Sequence, residues 1–217
     1  DLKGLKIGMP IEMFSQGLNP EIHEVIKTAA AEFTKLGYQV IDVSLPIAEI
    51  GLATYYLIAP SETSSNLARY DGVRYGGKRD LFTQEAMRRI MIGTFALSSG
   101  YSDAYYRKAQ KVRTILMEAY AKAFAECDVL LMPVSPTVAT KIGDLSSDPL
   151  ASMMADLYTT TINQVGSPSL VLPAGFSKEG MPIGMQLVAP MFKEDKILAL
   201  GHKYQGVTDW HTRSPKL

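Results

Sequence analysis

The sequence has a single cysteine, Cys127, among its 217 residues, so it cannot form an internal disulfide. This usage is consistent with a reducing, cytosolic compartment. Cys127 follows a helix-like stretch, and a buried or spacer role is favoured over that of a nucleophile. The chain also lacks any apolar run near the roughly 18 to 20 residues needed to span a bilayer, and no signal peptide is visible. We therefore expect a cytoplasmic protein without membrane association.

An excess of charge of either sign is also missing, because 22 basic residues balance 22 acidic ones. A protein that holds nucleic acid by its phosphates usually carries a basic face and surplus Lys and Arg. If RNA is involved, another chain is expected to make most of the contact. Hydrophobic residues make up 47% and charged residues 20%, which is typical of a globular chain with a sizeable core.

The simple catalytic signatures are absent as well. The sequence contains no Gly-x-Ser-x-Gly elbow, no P-loop and no Rossmann glycine fingerprint after its first strand. His23, His202 and His211 lack the spacing of metal ligands and have no carboxylate or thiol partner nearby in sequence. We interpret them as structural or surface residues and expect neither a metal nor a cofactor bound by this chain.

What is present at the N-terminus is a strand, a helix and a second strand. Residues 5–10 and 38–43 are apolar strand-like runs. Between them, Asn19 is a candidate N-cap, Pro20 fits the first helical turn, and Gly37 fits the position after the helix. The apolar residues between these caps recur at spacings of 3 and 4, as on one face of a helix. This βαβ order predicts parallel pairing in an α/β layered fold.

The rest of the chain predicts further helices and strands. Helices are expected over 46–69 with a break near Pro60, over 83–97, from about Ser102 onward, over 150–164 and over 194–204. Strands are expected over 128–133, 169–173 and 183–188, the last two paired, and loops over 71–80 and 134–149. The fold class is therefore α/β: a mixed, largely parallel sheet flanked by helices, formed as one unit by residues 1–217.

Three polar segments interrupt the apolar pattern. Ser61-Glu-Thr-Ser-Ser-Asn66 is costly inside a helix because these side chains compete for backbone hydrogen bonds. It fits a helix N-terminus or a cavity lining, and composition favours the N-terminus. Arg88 and Arg89 occur in an otherwise apolar helix. A position on the solvated face of that helix is favoured for them over pairing with a buried anion. Asp156 lies on a mostly apolar helix, as a cap or solvated side chain.

These segments also carry a family resemblance. Asn66-Leu-Ala-Arg-Tyr-Asp-Gly72 and Lys108-Ala-Gln-Lys-Val-Arg113 resemble blocks specific to the A subunits of glutamyl- and aspartyl-tRNA amidotransferases, a branch of the amidase-signature family. Further blocks follow in the same order: Arg88-Arg-Ile-Met-Ile-Gly-Thr94, Asp128-Val-Leu-Leu-Met-Pro133, Ala155-Asp-Leu-Tyr158 and Gly180-Met-Pro-Ile-Gly-Met-Gln186. The resemblance covers essentially the whole chain and corresponds to the C-terminal half of such subunits.

The resemblance implies a specific activity and specific residues. Family members hydrolyse glutamine with a Ser–cis-Ser–Lys triad that belongs to the N-terminal half, so no catalytic residue is expected here. By block position, Tyr55, Arg89 and Asp156 are expected to hold the substrate glutamine, with Tyr56 and Arg88 as the neighbouring alternatives. The ammonia would pass to a partner subunit that binds ATP and magnesium, and the expected partners are the B and C subunits of the amidotransferase. Of these partners, the B subunit would make most of the tRNA contact.

Two features leave alternatives open. The sequence begins without methionine, which suggests a fragment of a longer protein that is inactive alone. Leu81-Phe-Thr-Gln-Glu85 stands where relatives carry a longer segment with a Glu-Gly-Phe-Gly element, so either this segment is naturally short or part of it is missing from the sequence. A fragment of a general small-amide amidase and a non-catalytic binding or assembly module remain alternative functions.

Overall fold

The fold is built on one mixed five-stranded sheet with helices on both faces, as the sequence predicts. A computed structural model describes residues 2–14, 17–46, 48–143 and 149–214. The strands are β1 (Lys6–Pro10), β2 (Gln39–Val43), β3 (Val129–Pro133), β4 (Ser169–Phe176) and β5 (Pro182–Val188). The helices are α1 (Pro20–Lys35), α2 (Ala48–Leu67), α3 (Gln84–Leu97), α4 (Lys108–Glu126), α5 (Pro149–Ala155), α6 (Thr160–Val165) and α7 (Glu194–Gln205). Residues 144–148 of the predicted loop lie outside the described part.

The sheet has the order β2-β1-β3-β5-β4 and divides into a parallel and an antiparallel half. β1 pairs in parallel with both β2 and β3, which confirms the predicted βαβ unit. β5 is antiparallel to β3 and to β4, and the expected pairing of the last two strands is confirmed. Parallel pairing is therefore limited to the half of the sheet that contains β1.

Helix α1 begins and ends where its capping residues are. The side-chain oxygen of Asn19 accepts a hydrogen bond from the backbone N–H of Glu21 at 2.8 Å, and Pro20 occupies the first helical position. Gly37 follows the helix with φ of 91°, a left-handed conformation that costs glycine little. The side chain of Asn19 thus bonds to a backbone N–H that has no partner inside the helix. At the other end, the left-handed conformation of Gly37 lets the chain reverse directly into β2.

The core lies on both faces of β3, whose five residues are all buried because helices cover each side of the sheet. On one face Val129 and Leu131 pack in a cluster with residues of α1 and α7. On the other face Leu130 and Met132 pack in a cluster with residues of α4 and α6. Helix α2 packs on α4 and α6, and α3 packs on α2, so this second face carries an additional outer layer of helices.

Two helix predictions need correction. Helix α2 continues through Pro60 although proline lacks the N–H that would bond to the carbonyl four residues earlier. Packing against α3, α4 and α6 holds α2 together across this position. In contrast, the single helix predicted over 150–164 is interrupted after Ala155 and resumes at Thr160. The interruption places Asp156 in a turn at the second face of the sheet. No helix in the described ranges is long and apolar enough to cross a membrane.

Candidate functional site

The candidate site depends on the close approach of α2 and α3 at Gly93. A Cβ atom at this residue would lie 1.9 Å from the carbonyl oxygen of Pro60 and 2.8 Å from Oγ of Ser64. Only glycine therefore permits the observed separation of the two backbones. Because contacts are made at residues 55 and 89 and again at residues 60 and 93, the two helices run in the same direction. This packing brings one turn of α3 beside the aromatic residues of α2.

Tyr55 and Arg89 meet across this helix pair. Nη1 of Arg89 donates a hydrogen bond to Oη of Tyr55 at 3.3 Å, and Nε donates to Oε1 of Glu85 at 2.7 Å. The other carboxylate oxygen of Glu85 accepts from the Nε and terminal nitrogen of Arg88. Glu85 thus holds both guanidinium groups on the same side of α3. Both side chains of the Tyr55–Arg89 contact are half-buried.

The ionised forms of Arg89 and Glu85 stabilise each other. The hydrogen bond to Glu85, together with that to Tyr55, raises the pKa of Arg89 above its ordinary value, so the guanidinium is permanently charged. The hydrogen bonds from Arg89 and Arg88 lower the pKa of Glu85 below its ordinary value. At neutral pH the group is therefore a fixed carboxylate between two cations, with net positive charge beside Tyr55.

Asp156 joins this group through Tyr56. Oη of Tyr56 donates to Oδ2 of Asp156 at 3.3 Å, and the ring of Tyr56 packs edge-to-face against that of Tyr55 with centroids 5.2 Å apart. Burial raises the pKa of Tyr56, the Asp156 charge and hydrogen bond raise it further, and the charge of Arg89 partly opposes these effects. The phenol of Tyr56 therefore feels both a cation and an anion, which shows that Arg89 and Asp156 act on the same small region.

The turn between α5 and α6 fixes the backbone of Asp156. Its carbonyl oxygen accepts hydrogen bonds from the N–H groups of Thr159 and Thr160, both at 3.2 Å, and its own N–H donates to the carbonyl of Met153. The carbonyl is thus used inside the turn, whereas the half-buried carboxylate points to Tyr56. The sequence pattern favoured a cap or a solvated side chain for Asp156, and neither describes a half-buried carboxylate that is hydrogen-bonded to Tyr56.

The structure therefore gives a mixed outcome for the predicted site. It brings Tyr55 into contact with Arg89 and places Asp156 next to this pair through Tyr56, a residue named only as an alternative. Arg88 contacts Glu85 without reaching either tyrosine. Glu85 was not predicted, although its position four residues before Arg89 on a helix is a usable signal. That these residues hold glutamine stays a prediction.

The polar run at residues 61–66 lies in the second half of α2, so the preferred interpretation as a helix N-terminus is wrong. Four of its residues line a cavity of about 400 Å³ together with two residues of the following helical segments: Ser61, Glu62, Ser65, Asn66, Leu97 and Tyr106. The buried Ser61 donates its hydroxyl hydrogen to the carbonyl of Leu57 at 2.6 Å. The helix accepts these residues because Ser61 and Ser64 donate to backbone carbonyls of the helix itself, whereas Glu62, Ser65 and Asn66 are exposed to solvent.

A second cavity, of about 420 Å³, lies beside the Asp156 turn. Its wall is made by residues 134–140, which follow β3, and by Ala155, Ile183 and Gly184. Cys127 is buried elsewhere, where its thiol donates to the carbonyl of Ala123 and burial raises its pKa to about 11, as expected for a structural cysteine. In the described ranges, no group of three or more His, Cys, Asp or Glu residues is arranged to hold a metal ion.

Comparison with known proteins assigns the fold and the site region to a family. The Amidase family model matches residues 1–198. The chain belongs to the amidase family. This amidase-family chain is 45% identical to the A subunit of the glutamyl-tRNA(Gln) amidotransferase of Cupriavidus necator over 99% of its length, and 47% identical to that of Desulfatibacillum aliphaticivorans over its whole length.

The chain spans about half the length of these relatives, 46% and 48% respectively. The crystal structure of the corresponding A subunit of Thermotoga maritima glutamyl-tRNA(Gln) amidotransferase superimposes with a TM-score of 0.72 at 35% identity, covering 90% of this chain and 41% of that one. The alignment with the Cupriavidus protein extends over 229 positions, more than the 217 residues of this chain. The relative therefore has residues opposite gaps in this chain, in line with the short segment noted before Glu85.

Proposed function

We propose that this chain forms the glutamine-binding wall of the glutaminase subunit of a tRNA-dependent amidotransferase. In this role the whole subunit hydrolyses glutamine to glutamate and ammonia, and the ammonia serves to transamidate Glu-tRNA(Gln) or Asp-tRNA(Asn). The names of the relatives support this assignment, and all of them extend over about twice the length of the chain. The nucleophile and its base then belong to residues outside this chain.

The observation that carries the proposal is the placement of Arg89 and Asp156 at opposite ends of the Tyr55–Tyr56 pair. A free amino acid presents an α-carboxylate and an α-ammonium group a few ångströms apart. A guanidinium fork matches the first group and a carboxylate the second. Burying both charges of the ligand is tolerable only if each finds a partner, which this pair of residues supplies. The tyrosine rings add an apolar wall between the two charged ends.

Arg89 keeps donors available for such a ligand. Of the five N–H groups of a guanidinium, Nε–H is taken by Glu85 and one Nη1–H by Tyr55, and the other three have no hydrogen-bond partner among the described residues. Glu85 and Tyr55 thus fix the plane of the guanidinium while its outer edge stays free. A carboxylate of the substrate can accept two parallel hydrogen bonds from that edge.

The remaining steps are assigned to other chains. The B and C subunits complete the complex. ATP and magnesium bind to a partner subunit, which activates the tRNA-linked carboxyl group, and the B subunit makes most of the tRNA contact. The balanced charge of this chain agrees with a minor role in RNA binding. This chain itself binds no cofactor, and the complex works in the cytoplasm.

The test is steady-state kinetics of the natural full-length subunit in complex with its partners, with glutamine or ammonium chloride as nitrogen donor. Arg89→Ala removes a charge-assisted pair worth about 3 kcal/mol, so we expect the KM for glutamine to rise roughly 100-fold. Asp156→Asn is expected to act in the same direction. Transamidation from ammonia should stay at the wild-type rate, because ammonia does not use the amino-acid pocket.

Arg88→Ala is the matched control, since Arg88 is the adjacent arginine, shares Glu85 and has no hydrogen bond to Tyr55 or Tyr56 among the described residues. It should leave the KM for glutamine within about twofold of the wild type. Equal KM values for wild type and Arg89→Ala would refute the proposed binding site. Turnover of simple amides such as propionamide at a higher kcat/KM than glutamine would favour a general amidase instead.

A further inference from the structure

Gln186 is a polar side chain buried in the middle of β5, where it is only 1% exposed. Its neighbours Met185 and Leu187 point into the core on the side of α1 and α7. Alternation along the strand therefore directs Gln186 to the opposite face, where α4 and α6 lie. An amide at such a position is costly to bury unless all its hydrogen bonds are made, whereas a methionine or leucine would fill the space without this requirement.

The amide of Gln186 is fully bonded, and its bonds join separate parts of the fold. Nε2 donates to the carbonyl of Pro133 at 2.6 Å and to the carbonyl of Tyr158 at 3.1 Å. Oε1 accepts from Oγ of Ser169 at 3.2 Å. Pro133 is the last residue of β3, and Tyr158 lies two residues after Asp156. The side chain therefore ties the end of a central strand to the turn that carries Asp156.

Among the residues that the structure describes, the bond from Nε2 of Gln186 to the carbonyl of Tyr158 is the hydrogen bond that connects the 156–159 turn to the sheet. The other hydrogen bonds of that turn stay within residues 153–163 or, through the carboxylate, reach Tyr56. The segments joined by this amide adjoin the 420 Å³ cavity, since the lining residue Val134 follows Pro133 and the lining residue Ala155 precedes the turn. Without it, no hydrogen bond between this turn and the sheet would remain among the described residues.

We propose that Gln186 is a positioning residue for amino-acid binding: by holding the Tyr158 carbonyl, it fixes the Asp156 carboxylate opposite Arg89. This proposal rests on the proposed function, because it assigns to Asp156 the α-ammonium group of the substrate. Gln186 does not touch the substrate. Its effect is transmitted through the backbone of the turn, and misplacement of a binding group by about 1 Å is enough to weaken binding strongly.

The experiment is a double-mutant cycle on the full-length subunit in its complex, with glutamine and ammonium chloride as alternative donors. Gln186→Met keeps the volume and removes both donated hydrogen bonds. We expect the KM for glutamine to rise about 10-fold while kcat at saturating glutamine and the ammonia-dependent rate stay within about twofold. In the Asp156→Asn background the same substitution should change KM by less than about twofold, because its effect passes through Asp156.

Ile197→Ala serves as the stability control, since Ile197 is buried in α7 on the other face of the sheet. It should lower Tm without changing the KM for glutamine. The proposal is overturned if Gln186→Met leaves KM unchanged, if it adds fully to Asp156→Asn, or if the ammonia-dependent rate falls in parallel. Gln186→Glu, which keeps the shape and leaves at most one O–H donor in place of two N–H donors, repeats the test if the methionine variant does not fold. Failure of both variants to fold would assign Gln186 to the fold alone.

The same series separates the two proposals. If Arg89→Ala raises the KM for glutamine and Gln186→Met does not, the binding site stands and the positioning role fails. If Arg89→Ala and Asp156→Asn have no effect, the proposed function fails whatever Gln186 does.

Discussion

Replacing Gly93 by alanine tests whether the contact of α2 with α3 builds the candidate site. The added Cβ would lie 1.9 Å from the Pro60 carbonyl oxygen, a backbone atom that cannot rotate away. The two helices would have to separate by about 1.1 Å to bring this distance to 3.0 Å, below which such contacts are essentially never found. The same shift would lengthen the 3.3 Å hydrogen bond from Arg89 to Tyr55 beyond hydrogen-bonding range.

The expected cost follows from two opposing effects. A contact of 1.9 Å with a backbone atom lies at the upper end of the cost of overpacking, about 2 to 3 kcal/mol, and alanine recovers about 1 kcal/mol through its better helix propensity. We therefore expect a net loss of about 1 to 2 kcal/mol, which corresponds to a fall in Tm of roughly 2 to 8 °C for a chain of this size. The KM for glutamine should rise about 10-fold or more, because the guanidinium of Arg89 no longer has a fixed plane.

Thermal unfolding of the variant and glutaminase kinetics of the full-length complex provide the two measurements. Thr94→Ala, at the next and exposed position of α3, is the control and should change stability by less than about 0.5 kcal/mol. An unchanged Tm and KM for Gly93→Ala would refute the reasoning about the helix contact. A lower Tm with an unchanged KM would show that the contact stabilises the fold but does not position Arg89.

Two further predictions concern ionisable groups. Burial raises the pKa of the Cys127 thiol to about 11, so a thiol reagent at pH 8 should not label the folded protein. In urea the same reagent should label one thiol in this chain. Rapid labelling without urea would contradict this prediction. Arg89 and Arg88 lower the pKa of Glu85 below 4.5, so the pair stabilises the fold above that pH and the effect is lost as pH falls through the lowered pKa. Glu85→Gln should therefore be less stable than wild type at pH 7, by less than about 1 kcal/mol for this solvent-screened pair, and the difference in Tm should shrink as the pH falls below 4.5. A difference in Tm that does not change with pH would contradict the assignment.

The sequence by itself determined the features that depend on local chemistry. Asn19, Pro20 and Gly37 mark the ends of α1 because capping and left-handed backbone are properties of single residues. The continuous apolar run at β3 indicated a strand covered on both faces, since only such a strand has no polar side. The parallel pairing of β1 with β2 followed from the helix between them.

The tertiary structure alone decided what depends on neighbours that are distant in sequence. Pro60 stays inside α2 because the packing of α2 against α3, α4 and α6 offsets the local cost of proline in a helix, and four residues of the 61–66 run line a cavity within this helix layer. The turn at Asp156, its contact with Tyr56 and its tie to Gln186 bring together residues that are far apart along the chain. No local pattern specifies such contacts, because their free energy comes from packing and hydrogen bonds that exist only once the sheet and its helices have assembled.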